Sequence, residues 1–246
     1  DEQEMLRRTE YYERWRFDYR LYRPILRYAR DHAIPLVALG LATETTGRLR
    51  EVGLEGLAPE ERAELPETVD YGDAAYAERL RAVYAHHPRN ESGGGFERFL
   101  EIQLVWDEVM AERAADYLRA HPGRRLVVLA GGGHVNYGSG IPERVGRRVP
   151  VEQAIVVNDP GRGVPDAAMG DYLLMTPLRE LPPAGKRGVL LEDGEEGVVI
   201  TGFAEDSPGA EAGLEEGDVL AALGGDPVAR FADVKLALWD KRPGET

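Results

Sequence analysis

The chain contains no cysteine at any of its 246 positions. This absence excludes disulfide bonds, thiolate metal sites and a thiol nucleophile, and it leaves no cysteine to carry a lipid in the sequence given. Long apolar runs are also missing, since none approaches the roughly 18 residues that cross a bilayer. The charged opening at residues 1–17 has no apolar core of the kind found in signal peptides. We therefore predict no transmembrane segment in this chain.

Basic residues are scarce relative to acidic ones. The chain has 30 Lys and Arg against 44 Asp and Glu, a formal net charge of −14. Because binding to phosphates needs a basic surface, this balance argues against nucleic acid and against anionic lipid as partners. A hydrophobic content of 43% with 8% aromatic residues is typical of a packed globular protein.

Helical patterns alternate with short, solid apolar runs through most of the chain. Such runs are typical of strands covered on both faces, so the pattern predicts an α/β fold with a mainly parallel sheet flanked by helices. The composition changes in a proline-rich stretch after Thr176, which predicts domains at 1–179 and 180–246. The predicted helices cover 4–17, 24–33 (opened by Pro24), 73–87 and 96–120, and the predicted strands cover 34–40, 125–133, 152–159 and 171–177.

The helix predicted at 96–120 carries two polar residues inside an apolar face. Gln103 and Asp107 lie one turn apart on that face, where each needs a partner. They either bond to each other and to a neighbouring backbone, or line a site. The apolar residues of the face are Phe96, Phe99, Leu100, Met110, Ala114 and Leu118. The glutamates expected on the opposite, solvated face are Glu97, Glu101, Glu108 and Glu112.

A glycine-rich turn follows the predicted strand at 125–133, in the sequence "VVLAGGGHVNYGSGIP". In open parallel sheets ligands bind beyond the carboxyl ends of the strands, which is where this turn would lie. The pattern lacks GxGxxG, GK[ST] and GxSxG, so it is neither a nucleotide loop nor a serine nucleophile elbow. His134 is then either a ligand or catalyst at the rim, or a loop residue bonded locally. The residues predicted to line this site are Gln103, Asp107, Gly131, Gly132, Gly133, His134 and Tyr137.

Several blocks in the right order resemble the ChaN-like haem-binding uptake family of the Tiki and erythromycin-esterase-like superfamily. They are "DYRLYRPILRYARDHAIPLVAL", "LREVGLEGLAPEERAELPETVDYGDAAY", "FERFLEIQLVWDEVMAERAADYL" and "VVLAGGGHVNYGSGIPERVGRR", and the resemblance covers about residues 12 to 178. It implies a bacterial cell-envelope protein, often a lipoprotein, that takes up haem or iron. It also implies a haem shared by two protomers, bound by a tyrosine oxygen near a histidine.

The residues that match this haem site are Tyr22, with Tyr19 as the second choice, and either His86 or His87. On residue pattern alone these two histidines are helix caps. The family usually opens with a strand and a GExH-like motif that this sequence does not contain, and Gly40 stands where the family tends to have asparagine. His134 would face that opening motif in the family.

The superfamily resemblance also implies a different function. Some relatives hydrolyse esters or peptides, so His134, with Asp107, is a candidate ligand for a divalent metal that activates water. The alternative prediction is therefore a metal-dependent hydrolase with His134 and Asp107 as catalytic candidates.

The segment "GVVITGFAEDSPGAEAGLEEGDVLAALGGDPV" is similar to bacterial PDZ domains, small mostly-β modules. PDZ domains bind the C-termini of other proteins by adding a strand to a sheet edge. The resemblance implies that Arg187, Gly188, Val189 and Leu190 bind the peptide, with the helix at 231–239 as the opposite wall. We expect this module to lack its last strand, and a role as a PDZ scaffold is a third possible function.

Overall fold

The computed structural model divides the protein into two compact units. The central unit is Val37–Leu178, and the N/C unit combines Asp1–Leu36 with Arg179–Thr246. The first 36 residues therefore pack with the C-terminal part of the chain, whereas the domain limits 1–179 and 180–246 remain predictions. The residues that the structure describes are 1–15, 17–86, 95–159, 166–183 and 188–242.

The central unit is organised around one long helix. It runs over Gly95–Ala120, which confirms the predicted helix, and its side chains enter three separate hydrophobic clusters. In chain order the helices of this unit are α4 (Thr43–Val52), α5 (Pro59–Ala63), α6 (Ala74–Ala85), α7 (Gly95–Ala120) and α8 (Ile141–Arg148).

The prediction that Glu108 lies on a solvated face of α7 is wrong. This residue is 2% exposed and accepts hydrogen bonds from Arg144 Nε at 2.9 Å and Arg148 Nη2 at 2.6 Å. Because α4, α6 and α8 all pack on α7, the helix is buried on several sides and not along one stripe.

The predicted mainly parallel sheet is also wrong. The described residues contain one parallel pair, β1 (Val156–Asp159) with β2 (Tyr172–Met175). The apolar runs at 34–40 and 125–131 are not assigned to strands. Leu39, Leu126 and Val128 still pack against the cluster formed by α7 and α8, so the predicted burial of these runs holds on one face only.

The N/C unit joins three N-terminal helices to a small β-rich module. Its elements are α1 (Glu2–Arg8), α2 (Tyr11–Arg14), α3 (Tyr19–Asp31), β3 (Val189–Gly194), β4 (Gly197–Phe203), α9 (Pro208–Glu211), β5 (Val219–Leu220), β6 (Ala222–Leu223), β7 (Asp226–Pro227) and α10 (Phe231–Leu238). The strands β3, β4 and β5 form an antiparallel sheet in that order. Helix α10 packs Val234 on this sheet and Leu236 on the N-terminal helices.

Helix α3 begins earlier than the sequence predicts. Asp18 accepts a hydrogen bond from Arg20 N at 2.9 Å, which caps the helix, and Pro24 therefore lies inside it and not in its first turn. Among the described helices none is both long and apolar enough to cross a membrane.

Candidate functional site

The glycine-rich turn folds back onto α7. Tyr137, Gly138 and Gly140 have positive φ angles of 63°, 74° and 71°, a conformation that a non-glycine residue such as Tyr137 rarely adopts. A Cβ atom on Gly140 would lie 2.5 Å from the carbonyl oxygen of His134 and 3.2 Å from Asp107 Oδ2. Glycine at position 140 thus allows the turn to approach α7 closely and hold His134 there.

A chain of hydrogen bonds connects His134 to the interior. His134 Nδ1 lies 2.7 Å from Asp107 Oδ1, and the hydroxyl of Tyr76 donates to Asp107 Oδ2 at 2.7 Å. Asp107 is 0% exposed, so its carboxylate is not solvated by bulk water, and these hydrogen bonds must compensate for the cost of its burial. Burial first, and then the neighbouring Asp107, raise the pKa of Tyr76 far above its usual value, which keeps the phenol protonated as a donor.

This arrangement orients the imidazole of His134. Because Nδ1 faces a carboxylate, it carries a proton, and in the neutral ring Nε2 then has the lone pair; the side chain is 19% exposed. An imidazole held in this way can bind a metal ion or accept a proton from a bound water molecule.

Asp107 and His134 were both predicted as site-lining residues, and the structure brings them into contact. The hydrogen bonds of Asp107 go to Tyr76 and His134 and not to Gln103, which is half-buried on the same helix. Tyr76 was not predicted as a site residue. No motif marks it in the sequence, where it is one aromatic residue in the first turn of a helix. The hydroxyl of Tyr76 also lies 3.0 Å from the carbonyl oxygen of Gly133, which ties it to the predicted turn.

A second polar group braces the same turn. Arg79 Nη2 donates to Ser139 Oγ at 2.5 Å, and Ser139 Oγ donates to Asp73 Oδ2 at 2.8 Å. The guanidinium of Arg79 also lies 4.6 Å from the ring centre of Tyr137. Burial alone would raise the pKa of Asp73, but hydrogen bonds from Tyr76 N–H and the Ser139 hydroxyl outweigh it and lower the pKa below its usual value.

The two candidate haem tyrosines occupy different surroundings in the N/C unit. Tyr19 is buried against Leu6, Leu236 and Trp239, and its hydroxyl has no hydrogen-bond partner among the described residues. Burial raises the pKa of Tyr19. Tyr22 is half-buried, and its ring lies 5.8 Å from that of Trp15 and 6.2 Å from that of Phe17.

His86 caps the end of α6 in the central unit. Its Nδ1 donates to the carbonyl oxygen of Ala82 at 2.8 Å, and the exposed ring leaves Nε2 free of that bond. The predicted residues His87 and Arg187 lie outside the described residues. Across the described ranges, no group of three or more histidine, aspartate and glutamate side chains has the arrangement of a metal site.

The predicted peptide-binding residues Val189 and Leu190 lie on β3. In the described sheet β3 pairs with β4 alone, so its other edge carries no strand. Asp193 Oδ1 accepts a hydrogen bond from Phe231 N at 2.6 Å, which joins β3 to the start of α10. Gly188 has φ +70°, and a Cβ atom there would lie 2.9 Å from Ser207 Cα. Glycine at position 188 therefore allows the backbone before β3 to approach Ser207 closely.

More than half of the chain matches a known protein family. The model described as "Haem-binding uptake, Tiki superfamily, ChaN" matches residues 1–145. The chain belongs to this ChaN family. A PDZ domain follows at residues 185–246. The predicted resemblance, a ChaN-like region followed by a PDZ domain, is confirmed.

A curated relative of the ChaN-family chain comes from a plant. It is Protein RETICULATA-RELATED 5, chloroplastic, of Arabidopsis thaliana, 28% identical over 151 residues. The match covers 57% of this chain and 20% of the plant protein, so the chain spans about a fifth of the length of that relative. No solved structure is significantly similar to the ChaN-family chain.

The ChaN-family region contains both predicted haem tyrosines, and of the two only Tyr22 is partly exposed. Tyr22 has no hydrogen-bond partner in the part of the chain that the structure describes, and it is not enclosed as Tyr19 is. Ferric iron in haem accepts phenolate oxygen as a donor, so the chemistry of Tyr22 would fit the group that the family name implies.

Proposed function

We propose that the ChaN-family region binds haem and that the phenolic oxygen of Tyr22 is the iron ligand. The observation that carries the proposal is the half-buried phenol of Tyr22, which bonds to no described residue and lies among aromatic rings in a chain of a haem-binding family. Bound haem would supply a ferric centre that prefers a hard anionic oxygen donor. Tyr22 would supply that oxygen, and the neighbouring rings would exclude water from it.

A hemin titration tests this proposal. Wild-type protein is expected to develop a Soret band, and Tyr22→Phe is expected to lose tyrosinate ligation and bind at least tenfold more weakly. Tyr28→Phe is the matched control, because it removes a hydroxyl from the same helix while the ring stays stacked on His32 at 4.0 Å. An unchanged spectrum in Tyr22→Phe contradicts the proposal, and loss of the band in Tyr19→Phe reassigns the ligand to Tyr19.

The histidines, the dimer and the location belong to the same proposal. His86 and His87 are proposed haem contacts, two copies of the chain are proposed to share haem, and the protein is proposed to act in the bacterial cell envelope. Support comes from the family and from the position of His86, whose Nε2 takes no part in the bond to Ala82. Sedimentation with and without hemin tests the dimer, since the mass should double with haem, and fractionation of the source cells tests the location.

We also propose that the PDZ domain binds the C-terminus of a partner protein along β3. Support comes from the open edge of β3 and from the helix α10 that Asp193 fastens beside it. A peptide strand on this edge would gain main-chain hydrogen bonds, and Gly188, Val189 and Leu190 lie where its carboxylate would arrive.

Peptides with four randomised C-terminal residues test the PDZ proposal when they are offered both as free acids and as amides. Binding is expected for the acids and not for the amides. Leu190→Glu should abolish it, whereas Val219→Glu, on the exposed surface of β5, should not. Equal binding of acids and amides contradicts the proposal.

A hydrolase is the second candidate function, favoured by the contact between Asp107 and His134. In this reading His134 Nε2 removes a proton from a water molecule that attacks an ester or peptide carbonyl, and Asp107 stabilises the charged imidazole. Turnover of p-nitrophenyl acetate, with and without a divalent metal, tests this activity. His134→Ala is expected to lose about 10²–10⁴-fold in rate, and exposed His121→Ala should lose nothing. Equal rates in the two variants contradict it.

A further inference from the structure

Three aromatic rings form an exposed cluster at the start of α3. Trp15 is 48% exposed and Phe17 is 56% exposed, and their ring centres are 5.9 Å apart. Each also contacts the ring of Tyr22. Single exposed aromatic residues are ordinary, but clustered ones on a surface indicate a binding site.

The start of α3, which carries Tyr22, is held in place by polar contacts. Asp18 caps α3 and also pairs with the guanidinium of Arg20, and Arg20 Nη1 donates to the carbonyl oxygen of Pro182 at 2.7 Å. Tyr11 contacts both Tyr12 and Tyr19 edge to face. The helix that carries Tyr22 is therefore anchored at its start.

The charges of α3 indicate what the aromatic cluster selects. Its arginines are engaged by carboxylates of the N/C unit, as in the pairs Arg23 with Asp240 at 2.9 Å and Arg27 with Glu2. Leu21 and Ile25, which flank Tyr22 along the helix, are both exposed and apolar. Among the described residues, each arginine of α3 thus has a carboxylate partner, and Leu21 and Ile25 offer apolar contact beside Tyr22, which suits an aromatic ring system.

We propose that Trp15 and Phe17 bind the porphyrin ring itself and position it for Tyr22. The inference rests on the proposed haem function and extends it to the way in which the macrocycle is held. Edge-to-face and offset contacts with Trp and Phe stabilise a planar conjugated ring, whereas the phenol of Tyr22 acts on the iron alone. Ring contact and iron ligation are then separate contributions from neighbouring residues.

Iron-free protoporphyrin IX separates these contributions when its binding is measured beside that of hemin. Wild-type protein is expected to bind both, and the double variant Trp15→Leu/Phe17→Leu to bind both roughly tenfold or more weakly. Tyr22→Phe should weaken hemin and leave protoporphyrin nearly unchanged. Tyr172→Leu, an exposed tyrosine of β2, is the matched control and should alter neither. Far-ultraviolet circular dichroism verifies that every variant is folded.

Each negative result of this experiment contradicts a different part of the proposal. If wild-type protein binds hemin but not protoporphyrin, or if the double variant binds protoporphyrin as wild-type protein does, ring contact is wrong and ligation by Tyr22 stands. If wild-type protein binds protoporphyrin through Trp15 and Phe17 and hemin no more tightly, ring contact stands and the iron ligand is wrong. If the double variant changes only the sedimentation of the protein, the aromatic cluster belongs to an interface between copies, and the inference is overturned.

Discussion

Glu108 is a buried charge on α7 with three arginines around it. Arg144, Arg148 and Arg147 lie 2.9, 2.6 and 3.3 Å from its carboxylate oxygens, and the backbone N–H of Asp70 also donates to it. Removing one partner of a buried ion pair leaves the others without compensation.

Glu108→Gln is therefore expected to lower the free energy of unfolding by about 3–5 kcal/mol. Urea denaturation followed by circular dichroism measures the loss. Glu112→Gln, one turn further along α7 and only partly buried, is the control and should cost less than about 0.5 kcal/mol. Equal losses in the two variants would contradict the structural role of Glu108.

The lowered pKa of Asp73 predicts that the stability of the folded protein depends on pH. Its pKa is lowered in the folded protein, so its contribution is complete above the unfolded pKa of about 3.9 and is lost as the pH falls through the folded value. Asp73→Asn keeps an N-cap for α6 but removes the charge. It should melt below wild-type protein at pH 7, and the difference should narrow as the pH falls below about 3.9, as measured by thermal denaturation. A difference that stays constant as the pH falls contradicts this account.

At the scale of single residues the sequence predicted site roles for Asp107 and His134, which the structure brings into contact, but not for Tyr76, the other partner of Asp107. Polarity inside an apolar stripe and a histidine after a glycine run are local patterns, and each indicates that a residue needs a contact. The contact between Tyr76 and Asp107 joins residues 31 positions apart, and no local pattern predicts it.

Among the elements, α7 was predicted nearly to the residue, whereas the sheet was not. The length of a helix depends on the helix propensities and end signals of its own residues. The pairing of strands depends on segments that are far apart in the sequence. The run at 125–130 illustrates the difference. Leu126, Val128 and Ala130 pack inward as in a strand, yet Val127 and Leu129 are 81% and 59% exposed.

Exposed Val127 and Leu129 are expected to make the protein prone to self-association. Val127→Lys/Leu129→Lys should keep the fold and reduce both light scattering and the binding of the dye ANS. The same change at the inward positions, Leu126→Lys/Val128→Lys, should unfold the central unit. If the outward pair unfolds it equally, the alternation seen at this run is wrong.

On the scale of the whole molecule, the N-terminal helices share a hydrophobic cluster with α10. Tyr19 lies 5.9 Å from Trp239 ring to ring, and Arg23 lies 4.4 Å above the same indole. The PDZ helix at 231–239 was predicted from the resemblance to PDZ domains, and α10 lies there. The packing of residues 1–36 with the PDZ module was not predicted. The change in composition near residue 180 indicates a domain boundary, but it does not indicate which distant segments pack together.

Tyr19→Ala is expected to destabilise the N/C unit by about 3–5 kcal/mol. Hydrogen exchange should show loss of protection in α3 and α10 together, with α7 as the internal reference for the central unit. Tyr19→Phe removes a buried hydroxyl that has no described partner, so it should be neutral or stabilising. Loss of protection confined to α3 would contradict the shared cluster.

The N/C unit is discontinuous along the chain, and this has a consequence for its synthesis on the ribosome. Residues 1–36 emerge before Val37–Leu178, but the indole that covers Tyr19 is translated only after that central unit has been made. At about 5–20 residues per second this delay is on the order of 10 s. Throughout it the nascent N-terminal helices lack their indole cover, so we expect them to engage chaperones until residue 239 has left the exit tunnel.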